Sequence, residues 1–390
     1  MDMNKIKVLS SLFFVLFFFL VFAQKQIPVI KSNTQNVTII EDGLSKTDWS
    51  LNPSLKPDVY ATGKVGKKKS VKLITDIDSI SVMLRPSEKF DFVVLYKGKD
   101  SCHTRFQSPE KRNFDFKVSK NDTIPFTFTE KNNIQFKVLF NKRDTINLVF
   151  DTGASGFHLT REQIKKYFNP DGKKEKILMS DISDNEFKIG HLLWEHQQIY
   201  PTSEAPFGSS GVVGWDVFDE KIVEINYDKN IIIIHNNAPK ISRDYQRMDL
   251  RFIREHFFLT TQLEIGNQKF KNIFLFDTGY QRTVLLDKDL VNEQNYPKDK
   301  LPIIKKTTLK NSLNEDVNVV TLLNERLRLG KYILHNVPVQ LLSSSNPLGF
   351  KSHFLGNEVL KRFNTILDFK KNVAYFKPSK YFDAEYAEKK

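Results

Sequence analysis

Apolar and polar residues alternate with a period close to two across residues 25–118. Ser79-Ile80-Ser81-Val82-Met83-Leu84 is one such run, and Asp91-Phe92-Val93-Val94-Leu95-Tyr96 is another, closed by Lys97-Gly98-Lys99. Val71-Lys72-Leu73-Ile74 precedes both. A period of two sends successive side chains to opposite faces of a strand. With turn residues between the runs, the pattern predicts a small antiparallel β domain over residues 24–118. It carries no catalytic signature, and two readings stay open: a removable pro-segment or an autonomous domain.

The pattern ahead of that domain is different. Val8 to Phe22 is an apolar run rich in Phe and Leu, preceded by Lys5 and Lys7 and followed by Ala23 and the polar Gln24 and Lys25. A short basic stretch, an apolar stretch and a small residue predict a secretory signal over residues 1–23. The run falls short of the roughly 20 residues of a membrane-crossing helix. No later segment reaches that length, so the expected product is exported to the periplasm or the extracellular space, with no membrane span left after cleavage.

Beyond residue 118 the chain repeats itself. Leu148-Val149-Phe150-Asp151-Thr152-Gly153-Ala154 is echoed by Phe274-Leu275-Phe276-Asp277-Thr278-Gly279-Tyr280. Phe187-Lys188-Ile189-Gly190 is echoed by Leu327-Arg328-Leu329-Gly330, and Val212-Val213-Gly214 by Phe354-Leu355-Gly356. Each copy closes on a similar strand pair, around Asp228 and Asp368. Landmarks recurring in one order signal a duplicated lobe, giving lobes over 119–240 and 245–380 and a charged tail over 381–390. A short helix is expected after each Asp-Thr-Gly: Thr160 with Gln163 forms a capping-box pattern, and Asp287 is a plausible N-cap. Each aspartate ends an apolar strand, and the glycine two residues on is expected to permit a tight turn.

Composition narrows the chemistry. The single cysteine, Cys102, excludes an internal disulfide framework and a multi-cysteine zinc site; it reads as a buried or incidental thiol. The formal charge of +13 invites a nucleic-acid reading. The lysines are spread along the chain, however, and no helix-turn-helix, finger or RNP-type pattern is present, so no nucleic-acid partner is expected. Lys64 with Lys67-Lys68-Lys69, beside Gly63 and Gly66, reads as a solvated hairpin turn. His191 and His196 are not read as a metal pair, Gly208-Ser209-Ser210-Gly211 is a loop and not a serine elbow, and Asp228 and Asp368 read as turn or surface carboxylates. No metal and no cofactor are expected.

The paired Asp-Thr-Gly segments, each followed by an apolar-apolar-Gly strand, resemble aspartic proteases of the pepsin and retropepsin type over residues 119–380. The resemblance implies a mainly β fold: two homologous β-barrel lobes with a catalytic cleft between them, beside the small N-terminal antiparallel β domain. It implies Asp151 and Asp277 as a catalytic dyad supported by Thr152, Gly153, Thr278 and Gly279, with Gly214 and Gly356 on strands packed behind the loops. It also implies a flap over the cleft between Lys174 and Tyr200. The chemistry suits that pair. Two carboxyls held close cannot both ionise easily, so they share a proton; one activates a water and the other polarises the scissile carbonyl. Function then reads as an exported aspartic endopeptidase, monomeric because both half-sites lie on one chain, acting on an extended polypeptide.

The second copy departs from the family pattern at Tyr280, Gln281 and Arg282, and Arg282 is expected to pull a carboxylate pKa down. The alternatives are a catalytically weak relative that binds peptides and an envelope interaction protein built on the N-terminal domain. Ala154 lacks the hydroxyl that would stabilise an ionised dyad, and 59 Lys and Arg residues make strong acid a state of high self-repulsion. Activity is therefore expected to peak at about pH 5 to 7.

Overall fold

The computed structural model describes residues 27–387, apart from 67, 110–120, 204, 206–207, 311–315 and 343–350. The expected signal segment, Lys67, and the ends of the first lobe and the charged tail lie outside the described residues. The chain is mainly β.

The N-terminal domain pairs two four-stranded sheets. One runs Ser45–Ser50, Asn36–Glu41, Lys69–Ile74, Ser79–Leu84 and is antiparallel throughout. The other runs Val29–Ser32, Lys89–Tyr96, Asp100–Gln107, Asp58–Ala61; its central pair is antiparallel, but both outer strands join in parallel. Period-two alternation reports which face is buried but not strand direction, which is why the parallel edges were not anticipated. Ile39, Val71, Leu73, Phe92, Val94 and Phe106 fill the space between the sheets. Cys102 is buried in the same core, where burial pushes its thiol pKa up, away from reactivity.

Of the lysine cluster, Lys68 is exposed, but Lys64 and Lys69 are not solvated turn residues. Lys69 opens a strand and is buried against Glu41 at 2.7 Å, and Glu41 also accepts from Tyr60 at 2.8 Å. Burial, followed by the Glu41 charge, pushes Tyr60 up to about 12. Lys64 is held between the domain and both lobes, as described below.

In the first lobe, Asp144–Asp151 lies between Ile134–Phe140 and Gly211–Gly214, with Phe157–Thr160 and Ile199–Thr202 beyond. In the second, Gln268–Asp277 lies between His256–Ile265 and His353–Gly356, with Val284–Leu286 and Tyr332–Leu342 beyond. The registers repeat. Asp151 pairs in parallel with Gly214, and Asp277 with Gly356. Pairing of His256–Ile265 with Asp316–Leu329 closes the second sheet into a barrel. Beneath both lobes, Gln246–Asp249, Val373–Pro378 and Phe363–Asp368 join Ile222–Asn226, Ile231–His235 and Asp122–Pro125 in one six-stranded sheet. Asp368 is not a surface carboxylate: it is 3% exposed and accepts from the backbone N–H groups of Lys370 and Lys371 in its own turn.

Within the region expected to hold the flap, Lys174 to Tyr200, one hairpin faces away from that role. That hairpin, Asn185–Ile189 with Leu192–Gln197, turns at Gly190 and His191, and Asp122 of the six-stranded sheet captures that turn. The hairpin is therefore tied to the base of the lobe. Gly330, at the matching turn of lobe two, lies against Gln246 of the same six-stranded sheet. The two turns match, so most of the extra length of lobe two falls before Gly330. It builds the hairpin of Ile303–Lys310 with Asp316–Leu329, which has no counterpart in lobe one; its tip lies outside the described residues.

Candidate active site

Three apolar residues carry each chain segment into the core and deliver an aspartate at the strand end. Phe150 and Phe276 point into the shared core, both fully buried. Alternation then turns Asp151 and Asp277 to the opposite face, along with Val149 and Leu275. Helices follow as the caps predict: Thr160 accepts from Gln163 N at 3.2 Å, and Asp287 from Leu290 N at 2.9 Å.

The two loops are joined by a reciprocal set of hydrogen bonds. Thr152 donates its hydroxyl to Phe276 O at 2.7 Å, and Thr278 donates its own to Phe150 O at 2.7 Å. Each hydroxyl also accepts the backbone N–H of the other threonine at 3.0 Å. Both threonines are fully buried. A hydroxyl is the side chain that can accept one such bond while donating another, which accounts for threonine at both positions.

The carboxyls meet across this junction and hydrogen-bond to one another. Asp151 accepts from Gly153 N at 2.8 Å; Asp277 accepts from Gly279 N and Tyr280 N, each at 2.9 Å. Neither glycine has positive φ, so the tight-turn reason for them is superseded. A Cβ on Gly153 would stand 2.9 Å from the Asp277 carboxyl carbon, and one on Gly279 would collide with the Asp151 carboxyl. Glycine is needed because the opposite aspartate approaches so closely. Gly214 and Gly356 serve a related purpose: a side chain on either would strike the backbone just after its own lobe's Asp-Thr-Gly, at Ala154–Ser155 and at Tyr280 and Arg282.

Burial raises the pKa of Asp151 and holds Asp277 well above the ordinary carboxylate range; for Asp277 the neighbouring Asp151 charge is the next cause. The pair therefore holds a proton at pH values where isolated carboxyls would be ionised. The lowering expected from Arg282 is not found. Arg282 is exposed, and its carbonyl accepts from Glu358 N at 3.2 Å. Tyr280 is held by lobe two itself: its ring packs beside Phe354 and its hydroxyl donates to Gln340 on Tyr332–Leu342, an inner strand of the sheet.

Sequence reasoning missed the clamps on these loops. Gln135 pairs with Val149 and Phe258 with Leu275, so Asn133 and His256 occupy equivalent positions. Asn133 reaches across the lobe junction and donates to Thr278 O at 3.1 Å and Gly279 O at 2.8 Å. Next to His256, Glu255 reaches the first loop: Ser155 Oγ donates to it at 3.3 Å, and its carbonyl accepts from Trp215 Nε1 at 2.8 Å. The available signal was positional. Each turn stands the same distance ahead of its aspartate strand, but the two share no residue type.

His191 and His196 face separate carboxylates, Asp122 and Asp184. Among the described residues no group of three or more His, Cys, Asp or Glu is placed to hold a metal ion.

No protein-family model matches the sequence, and no curated protein matches it. Among solved structures, the chain is similar to the aspartic proteinase from Irpex lacteus at 11% identity and a TM-score of 0.44, over 68% of this chain and 99% of that one.

Proposed function

We propose that the chain hydrolyses peptide bonds by an aspartic-type mechanism, with Asp151 and Asp277 sharing one proton across a bound water. The supporting observation is the geometry of the pair: two carboxyls in contact, Asp277 buried and Asp151 half-buried, held by reciprocal threonine bonds and by backbone N–H donors from their own loops. The ionised member takes a proton from the water as it attacks the scissile carbonyl. The protonated member hydrogen-bonds to the carbonyl oxygen, and a proton then passes to the leaving nitrogen. Holding both groups in place before substrate arrives is what makes such a pair effective. The substrate is a polypeptide in extended form, the enzyme acts as a monomer, and it acts after export.

Casein or peptide-library digestion by the purified protein, with and without a statine-type peptide, tests the reading. Cleavage abolished by the statine peptide is the expected result. Statine binding without any cleavage would leave a peptide-binding relative. Mass spectrometry of the mature N-terminus tests the export proposal, for which residue 24 is the expected start.

A further inference from the structure

The cleft has two ends, related by the lobe duplication. At one end, lobe one supplies Ser155 and Gly156 and lobe two supplies the Arg254–Glu255 turn. At the other, lobe two supplies Gln281 and Glu358 and lobe one supplies the Asn132–Asn133 turn. An extended chain crossing the dyad would pass from one end to the other.

The N-terminal domain occupies only the first of these ends among the described residues. Arg254 donates to Lys46 O at 2.8 Å and to Thr47 Oγ1 at 3.2 Å. Gly63 runs so close to the Arg254 backbone that a Cβ would not fit. Lys64 follows, its side chain 14% exposed: it pairs with Asp219, lies 3.3 Å from Glu220, donates to Phe369 O at 2.8 Å and sits over the Phe252 ring. Those four partners come from lobe one, the six-stranded sheet and lobe two. An ammonium removed from water stays there only while paired, so this contact resists opening.

The domain also reaches into the cleft. Leu275 and Asp277 lie on one face of their strand, and Phe354 pairs beside Leu275. Ile253, Phe258, Ile273, Leu275 and Phe354 thus form an apolar cluster on the dyad side of lobe two. Leu44, beside the exposed hairpin tip Gly43, packs onto that cluster. Opposite, the domain's Thr62–Gly66 segment, Pro86 and Pro109 wall a cavity of about 750 Å³ whose lobe-one side is Ser155, Gly156, His158 and Tyr200. Its volume is that of a small-ligand site and gives room for a short segment of chain.

We propose that the N-terminal domain is a fixed end-wall of the cleft, so that the site accepts a polypeptide by one terminus and cuts a bond near that chain end. This rests on the peptidase reading and narrows the endopeptidase expectation. The short side of the substrate lodges in the cavity beside Ser155 and Tyr200, and the long side leaves past Asn132 and Gln281.

The test uses three fluorescent statine-type peptides on the full chain: a short core, the same core extended on its N-terminal side, and the core extended on its C-terminal side. The expected result is that one extended probe binds like the core while the other binds at least tenfold more weakly. That weakness should be relieved in Lys64→Ala. It should also be partly relieved in Leu44→Ser, a substitution beside an exposed turn that leaves both cores intact. In a time course on an unstructured protein, the earliest products should be shortened from a single terminus. Equal binding of both extended probes, or internal fragments as the earliest products with the domain still attached, would overturn the proposal. Failure of the core probe to bind would overturn the peptidase reading, and this proposal with it.

Discussion

The two lobes are nearly identical where the chemistry is proposed and unlike where a substrate would lie. At the aspartates the threonine bonds repeat with matching distances, and each aspartate lies against the other lobe's glycine and accepts from its own loop backbone. One turn of strand away the match ends. Gln135, Asn147, His158 and Tyr200 of lobe one stand where lobe two has Phe258, Ile273, Leu285 and Gln340. Ala154 stands where Tyr280 closes over its apolar cluster. The buried junction tolerates no change because each threonine serves two partners, and losing one leaves buried donors and acceptors unpaired. The cleft walls are free of that constraint, and differ as a polar half and an apolar half.

The comparison can be broken at its strongest point first. Replacing Asp151 with Asn should lower turnover by about 10²–10⁴-fold or more, the usual weight of a general acid–base group, with circular dichroism unchanged. A smaller loss would mean that lobe one does not supply half of the dyad.

The lobes should also differ in acid sensitivity. His353 is 2% exposed, accepts from Asp287 N at 2.9 Å and lies near Asn272; the aligned position in lobe one is Gly211. Burial lowers its pKa from 6.5 to about 4. The unfolded chain then binds the extra proton between those values, so the stabilisation is complete above about pH 6.5 and fades as pH falls towards 4. A shift of that size is worth about 3 kcal/mol. Thermal melts of a His353→Gln variant should lose less stability than wild type over that interval. Parallel curves would remove His353 as a source of acid lability and leave the low-pH limit of activity to overall charge.

Thr152→Ala and Thr278→Ala sharpen the symmetry claim. Each leaves a buried N–H and a buried carbonyl unpaired, which costs about 1–3 kcal/mol per group, and denaturant midpoints should fall by similar amounts in both. A marked inequality would show that one lobe carries the junction. The smallest effect expected is for Tyr280→Phe, which removes one hydroxyl hydrogen bond to Gln340, about 1 kcal/mol. Turnover should change little, because the hydroxyl bonds Gln340 and not an aspartate; a large gain would mean that Tyr280 does restrict the site.

Much of this site was legible because its signals are local. An apolar strand ending in Asp-Thr-Gly, a threonine or aspartate cap and an apolar-apolar-Gly strand are patterns of a few neighbouring residues, and their repetition exposed the duplication. What was not legible depends on partners far away in the chain. Asn133 acts on carbonyls some 145 residues distant, and Asp122 holds a turn 69 residues away. Lys64 resembles any exposed lysine until its partners 155 and 305 residues on are in place. The lean of the Gly190 hairpin was not legible for the same reason: the sequence says that a turn exists, and only the position of Asp122 decides which way it leans.

Asp277 tests the account most directly, since it belongs to the copy that departs from the family pattern at Tyr280 and Arg282. Turnover of an unstructured protein and thermal melting should be measured on one preparation of Asp277→Asn at pH 6–7. Its carboxyl is held above the ordinary range, so above the unfolded value near 3.9 the native state keeps a proton that the unfolded chain has released, and ionisation there favours unfolding. The account predicts loss of nearly all turnover with a melting temperature equal to or above wild type. Near-wild-type turnover in Asp277→Asn would contradict it.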